Sequence, residues 1–471
     1  MISVVAGGPS RIAVSDLVDG QRIGSFLIAI VVLGFLAQIG DGYDLAAAAY
    51  AAPSIVKAWH IKRELFAPVL SAGLVGMLFG APLFGYLGDR AGRRICIIVC
   101  TAIAGIFTLL AGTATSLTEL VALRFLTGVG LGGLPANTIA LMAEYAPHRS
   151  RATLITIMFM GITFGGMVPA AVAIIAANAH WSLFFVVGGA MPLVASLLNL
   201  MFMPESLKFL AAKDSSRPKL LALARRMRPE LTIADGTELL FPHKQDQRFR
   251  LWMLFEGRLR WTTPLIWVLF VTNLMVNFFL NSWMPTVLRE AGLSPSDAAL
   301  TASMYYVGGV IGGLTIARAL DKTGFGLIAL FLLLACPAVL CLGIPGLSST
   351  MLKIVVLIVG VTVLGNQLSF NSVAGLNYPT AIRANGTGWA LGIGRLGAIA
   401  GPMIGGQLLA LHLPPMQLFA APVIPLAIGA IAAFILRPLV RDRFGRHDNP
   451  QADNSAVTLA NKIAQDRHLG R

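Results

Sequence analysis

Apolar stretches of about twenty residues recur along the whole chain, and this recurrence restricts its fold more than any other feature. A helix crossing the ~30 Å hydrocarbon core of a bilayer needs ~20 mostly apolar residues. Reading the runs against charges and breakers predicts twelve spans. Six lie near 24–52, 65–87, 95–113, 119–143, 152–177 and 182–203. Six more lie near 263–288, 298–319, 325–346, 351–377, 386–411 and 416–436. Composition agrees: 56% of residues are hydrophobic and 12% charged, with a mean hydropathy of +0.75. An average soluble domain is roughly 25% charged.

The expected architecture is an all-α integral membrane protein. A tail (1–23) precedes a six-helix bundle (24–203), a linker loop (204–262), a second six-helix bundle (263–436) and a second tail (437–471). The first apolar run is longer than a signal-peptide core and no small-residue cleavage site follows, so it reads as a retained helix. In the linker, "PKLLALARRMRPEL" fits either a short amphipathic helix on the membrane surface or a solvated connection. The four cysteines, at 96, 100, 336 and 341, lie in apolar runs without metal-type spacing and read as small apolar residues.

An even number of spans puts both termini on one side, and basic residues say which. Of the 36 Lys and Arg, 29 fall on the side of the termini, 12 of them in 204–262. Five fall on the other side: Lys57, Lys62, Arg63, Arg289 and Lys353. Both termini are therefore expected in the cytoplasm. The net charge of +14 reads as an orientation signal rather than a nucleic-acid patch.

The two halves repeat at a nearly constant offset. "PSIV" at 53–56 matches "PTVL" at 285–288, and "GDRAG" at 88–92 matches "LDKTG" at 320–324. Tyr145 and Pro169 recur, equally spaced, as Tyr378 and Pro402. "RA" recurs at 151 and 383. Matches at corresponding span ends point to a duplicated six-helix unit. Six is even, so both copies face the same way, as in transporters that rock two halves about a central site.

Asp41 and Asp44 stand inside the first span, close enough in sequence to share one helical face. A charged Asp at the centre of a span costs about 2.5–3.5 kcal/mol. Such groups face the interior or a wet cavity and are functional by default; the other reading is an ion pair that only fixes packing. Burial and mutual repulsion both favour holding a proton, as a coupling site requires. Arg124 and Arg395 are the two basic residues within spans. A buried guanidinium suits a carboxylate ligand, or else a structural ion pair. Asn273, Asn277 and Asn281 recur at every fourth position on the seventh span, and Asn273 is the repeat counterpart of Asp41. The tenth span adds Asn366, Gln367, Asn371 and Asn377. These amides fit either substrate contacts or helix-to-helix hydrogen bonds.

"GYLGDRAGRR" (85–94) and "RFLTGVG" (124–130) resemble the signatures of the major facilitator superfamily. Within it the chain is similar to the aromatic acid:proton symporters, represented by benzoate and 4-hydroxybenzoate carriers. That similarity rests on "DGYD", "RFLTGVGLGG", "AEYAPHRSR", "PESLKFL" and "YPTAIRANGTGWALGIGRLGAIAGP". Sugar porters share "GYD" and "PES", but "ARALDKTGF" lacks the paired arginines they usually repeat there. The resemblance implies proton-coupled uptake of aromatic carboxylates by alternating access, with helices 1 and 4 lining the cavity. Helix rise places Asp41 about 26 Å and Arg124 about 30 Å from the inner ends of their spans. Arg124 is accordingly expected to pair with both aspartates when they are ionised, and to turn to substrate when they are protonated. Arg395, Asn273, Asn277, Asn366, Gln367 and Asn371 complete the expected substrate site. Asp89, Arg90, Arg93, Arg94, Glu144, Arg149, Arg151, Asp321 and Arg383 sit at inner helix ends and are expected to form a gate.

Nothing in the sequence suggests an enzyme. It has no GxxxxGK[ST] phosphate loop and no HExxH metal motif. The expectation is an inner-membrane monomer with the proton as coupling ion, no other cofactor, no metal and no nucleic-acid partner. Its partners are a small aromatic acid and the lipid bilayer. A sugar or polyol symporter, a proton-driven efflux antiporter and an aromatic-acid receptor are the alternatives.

Overall fold

A computed structural model describes residues 11–175, 180–211, 217–231, 233–234, 237–240, 250–323, 325–368, 370, 377–378 and 382–444. The first bundle follows a short strand, β1 (Arg11–Ala13), and a helix, α1 (Val14–Gly20). It comprises α2 (Ser25–Ala58), α3 (Ala67–Ala91), α4 (Arg93–Ala111), α5 (Leu117–Tyr145), α6 (Arg151–Ile175) and α7 (Ser182–Phe202). The linker carries α8 (Leu207–Ala211), α9 (Arg217–Met227) and β2 (Glu238–Leu240). The second bundle comprises α10 (Leu259–Glu290), α11 (Pro295–Thr323), α12 (Phe325–Cys341), α13 (Ser349–Val359), α14 (Arg383–Ala410), α15 (Pro415–Ala420) and α16 (Val423–Phe444). A π turn (Gly360–Leu364) continues α13.

Among the described residues, ten helices are long and apolar enough to cross a membrane. The ninth and eleventh expected spans differ in ways their residues explain. α12 is strongly apolar but only 17 residues long. α14 has 28 residues, but its many glycines and Arg395 dilute its apolar character. α2 runs past the expected end at 52 to Ala58, with Pro53 inside it, and α10 likewise contains Pro285. These prolines occupy matching places in the repeat.

The duplication extends to individual backbone contacts. Gly76 and Gly80 of α3 pack against the carbonyls of Phe125 and Val129 on α5, so closely that a Cβ on either glycine would collide with them. Their counterparts in the second copy are Gly308 and Gly312, and these meet the carbonyls of Leu357 and Val361. Gly128 against Gly73 corresponds to Gly360 against Tyr305, and Gly165 against Ile39 to Gly397 against Val271. Every partner is displaced by the same offset. Helix pairing follows the same scheme: α3–α5 and α2–α6 in the first bundle correspond to α11 with the π turn and α10–α14 in the second. The bundles meet through α3–α14 and α6–α11, a pair related by the same internal symmetry, and through α2–α10.

The regions outside the membrane hold more structure than the sequence suggests. β1 and β2 pair in parallel, Arg11 opposite Glu238, which adds a small ribbon to the all-α plan. α9 forms as its apolar periodicity requires, but its apolar side does not lie on a membrane. Leu221 and Ala224 pack with Leu17 of α1 and with Ile233, while Leu220 and Met227 join the core beneath α2. Asp19 accepts a hydrogen bond from the His148 backbone N–H at 2.7 Å, and Gln21 donates to the Tyr145 carbonyl. The first tail and part of the linker thus form a cap on the first bundle.

The glycine crossings give a direct test of the packing. Inserting a side chain into such a contact costs about 1–3 kcal/mol or more. Gly76→Leu and Gly308→Leu should each reduce the monodisperse fraction in size-exclusion chromatography. Gly85→Leu should leave it unchanged, because nothing lies within 4 Å of a Cβ placed there.

Candidate functional site

The small-residue crossings bring α2, α3, α5 and α14 close enough for their few polar side chains to meet. Asp41, Asp44 and Arg124 are buried, with relative exposures of 5%, 2% and 2%. Arg124 Nη1 donates to Asp44 Oδ1, and Nη2 donates to the Asp44 carbonyl at 3.2 Å. Thr108 Oγ1 lies 3.4 Å from the same carboxylate oxygen and 3.4 Å from Thr127 Oγ1. The guanidinium lies beside Gly73, where a Cβ would stand 3.4 Å from Arg124 Nη2, in ordinary contact.

Asp41 departs from expectation. The sequence places both aspartates opposite Arg124, but only Asp44 pairs with it. Asp41 Oδ1 has no hydrogen-bond partner among the described residues. Its electrostatic neighbours are Asp44 and Arg395. Positions i and i+3 on a helix are offset by ~60° around the axis and ~4.5 Å along it, enough to aim two short side chains at different neighbours. Arg395 comes from α14 in the other bundle and donates Nη1 to the Met77 carbonyl at 2.8 Å. The acids therefore divide, one tied to an arginine within its own bundle and one buried without a salt bridge among the described residues.

The amides occupy the second bundle. Asn273 Nδ2 donates to Gln367 Oε1 at 2.9 Å and to the Val363 carbonyl at 3.3 Å. Asn366 Nδ2 reaches the Ile328 carbonyl at 3.5 Å. The Oδ1 atoms of Asn273 and Asn366 are buried without a hydrogen-bond partner among the described residues. Tyr305 donates its hydroxyl to Asn277 Oδ1 at 2.5 Å, and Tyr306 donates to Asn281 Oδ1 at 2.8 Å. These tyrosines were absent from the expected site. Their position, on the helix that follows the asparagine ladder, is the signal that would have found them. Asn371 lies outside the described residues.

The expected gate residues meet within the first bundle. Glu144 accepts from Arg93, and from Ser206 Oγ at 2.7 Å. Glu205 accepts from the Arg94 backbone N–H at 3.1 Å, just after Gly92 with its positive φ of 104°. The "GDRAGRR", "AEY" and "PES" motifs thus form one cluster, to which sequence reading had not assigned Glu205 or Ser206. Asp89 lies 3.6 Å from Arg93, and Arg90 stacks on Tyr86 with its Cζ 4.4 Å from the ring centroid. Arg149 donates to the Gln21 carbonyl and Arg151 to that of Ala146. The side chains of Asp321 and Arg383 lie outside the described residues.

Contacts between the bundles gather toward the far side from the termini. Arg63 pairs with Glu290, the Tyr50 hydroxyl donates to the Ala299 carbonyl at 3.4 Å, and Ser71 Oγ donates to the Ile399 carbonyl at 3.1 Å. The Tyr306 ring lies against Gly166, where a Cβ would overlap it. A lateral groove of about 710 Å³ between α3, α5 and α14 is lined by residues such as Val75, Val121, Phe125 and Met403. None of the buried acids or arginines lines it.

The chain matches the family model described as Major Facilitator Superfamily over residues 30–402. It is 34% identical over 437 residues to the 4-hydroxybenzoate transporter PcaK of Pseudomonas aeruginosa, covering 91% of this chain and 96% of that protein. It is also 34% identical to the gallate transporter of Pseudomonas putida, covering 89% of this chain and 94% of that protein. Among solved structures, a D-xylose–proton symporter superposes with a TM-score of 0.68 at 17% identity, covering 88% of this chain and 98% of that one. The extent of the family match, the multi-pass architecture and the duplicated bundles agree: this chain belongs to the Major Facilitator Superfamily, a membrane transporter rather than an enzyme.

Proposed function

We propose that this transporter imports aromatic carboxylates together with protons by alternating access. The observation that carries the reading is the division of the two acids, with Asp44 held by Arg124 and Asp41 buried without a salt bridge among the described residues, where the charge of Arg395 from the other bundle bears on it. The similarity to carriers named for 4-hydroxybenzoate and gallate supports the substrate class. The coarse fold likeness to a sugar symporter bears on architecture alone.

In this reading Arg395 is the carboxylate ligand. One of its five N–H donors is occupied by Met77, and a bidentate hydrogen bond to a substrate carboxylate uses two of the others. The incoming anion competes with Asp41 for the guanidinium. Asp41, losing its counter-charge in a buried setting, then takes up a proton. The substrate and proton charges offset one another, so the loaded cavity can close without burying a net charge. The tyrosine bonds occupy the oxygens of Asn277 and Asn281, leaving their amide N–H groups to donate to ring hydroxyls. One proton per monoanion is electroneutral; a second would add about 2.3 kcal/mol per 100 mV of potential. The cluster around Glu144 serves as the inner gate. We place the transporter in the bacterial inner membrane as a monomer, both termini cytoplasmic, with the proton as coupling ion and no other cofactor.

Proteoliposomes with an inward proton gradient should accumulate labelled 4-hydroxybenzoate but not D-xylose. Failure to accumulate any aromatic acid would refute the reading. Asp44→Asn should insert normally yet lose proton-driven accumulation, since neutralising the carboxylate leaves Arg124 buried without its counter-charge. Unchanged accumulation would make that pair purely structural. Arg395→Ala should raise the KM for 4-hydroxybenzoate by roughly 10- to 100-fold, in line with ~1.5–3 kcal/mol for a charged hydrogen bond. An unaltered KM in this variant would remove Arg395 from the substrate site.

A further inference from the structure

The geometry points to a binding site for an anionic phospholipid headgroup on the segment 250–261, at the end of the second bundle on the side of the termini. α10 has 32 residues. At 1.5 Å per residue it is ~48 Å long, so its ends project beyond the ~30 Å hydrocarbon core into the headgroup region. Trp261 lies in its first turn and is 61% exposed. Just before it, a 3₁₀ turn (Leu251–Phe255) carries Trp252, 60% exposed. Tryptophan favours this depth of a bilayer.

Two arginines stack on these rings. Arg250 Cζ lies 5.3 Å from the Trp252 ring centroid, and Arg260 Cζ lies 5.4 Å from that of Trp261. The platform is a folded structure. Thr263 Oγ1 donates to the Leu254 carbonyl at 2.7 Å, Phe255 meets Trp267 edge-on at 5.5 Å, and Leu254 is fully buried. Arg258 donates to the Pro438 carbonyl at 3.5 Å, tying the segment to α16. Glu256 is the one acid against three arginines in 250–261.

Comparison with the first bundle sharpens the point. There Arg93 has Glu144, and Arg149 and Arg151 have backbone carbonyls, while Arg90 stacks on Tyr86; in the linker Arg228 has Glu230. Arg250 and Arg260 have no carboxylate within salt-bridge distance among the described residues. Two arginines without a carboxylate partner among the described residues, set beside exposed indoles at the level of the headgroups, match a phosphate joined to acyl chains. A free phosphate would satisfy the arginines but would leave the indoles without apolar cover.

The test uses the full-length protein in phosphatidylcholine liposomes doped with a brominated lipid, whose bromine quenches tryptophan it touches. Brominated phosphatidylglycerol should quench wild-type fluorescence roughly two-fold more than brominated phosphatidylcholine at equal content, as expected where an anionic lipid is enriched. Trp252→Phe/Trp261→Phe should lose this excess, and so should Arg250→Gln/Arg260→Gln. Inorganic phosphate at constant ionic strength should leave it intact. Equal quenching of the wild type by the two lipids would overturn the proposal. Persistence of the excess in either double variant would also overturn it, by placing the lipid elsewhere. Loss of the excess on adding phosphate would assign the arginines to a free anion instead.

Discussion

A guanidinium and a carboxylate in the middle of a hydrocarbon slab can remain charged only together. The Arg124–Asp44 pair is therefore the constraint around which the first bundle is arranged. Removing one partner from a buried ion pair leaves an uncompensated charge, which typically costs about 3–5 kcal/mol. The rest of the local structure fits this demand. Gly128 lets α5 approach the Gly73 carbonyl of α3, and Thr108 adds a hydroxyl to the carboxylate. Asp41, one turn away, has no comparable partner in its own bundle. Arg395 of the other bundle contributes to its electrostatic environment, which therefore depends on how the two bundles stand relative to one another.

The duplication shows how such an unequal arrangement arises within an equal scaffold. Corresponding glycines meet corresponding carbonyls in both halves, so the two backbones follow one plan position by position. The chemistry lies where the side chains diverge. Position 124 is Arg in the first copy and its counterpart, 356, is Val; position 73 is Gly and 305 is Tyr. In one half a glycine stands beside a cation. In the other the cation is gone and a tyrosine stands in place of the glycine, bonding to Asn277. Asp41 and Asn273 show a milder version of the same exchange. One copy holds both acids and Arg124, and the other holds the amides, Tyr305 and Arg395.

Most of this architecture was legible in the residues. Apolar runs of span length define helices with little ambiguity, because a bilayer has one thickness. The repeat was visible at PSIV and PTVL before any coordinates. Which aspartate would meet Arg124 was not legible, because the answer turns on a small rotation about the helix axis and on the approach of α14 from the other half of the chain. Tyr305 and Tyr306 were missed because a tyrosine in a span looks like ordinary apolar filling until its hydroxyl partner is known. Glu205 escaped notice because the segments it joins, at Arg94 and Tyr145, are far from it in sequence. The cap formed by β1, α1, α9 and β2 was read as tail and linker because its strands are too short to leave a pattern.

That cap changes the polymer physics of the molecule. The sequence suggests two bundles joined by one long spacer. With α9 and β2 committed to the underside of the first bundle, the chain left to connect the bundles begins only after Leu240 and meets the 3₁₀ turn at Leu251. The entropy lost in closing a loop grows with the logarithm of its length, so a shorter connection keeps the bundles at a higher effective concentration of one another. It also limits how far their inner ends can separate in any conformation. The cap thus shortens the stretch of chain that separates the two bundles.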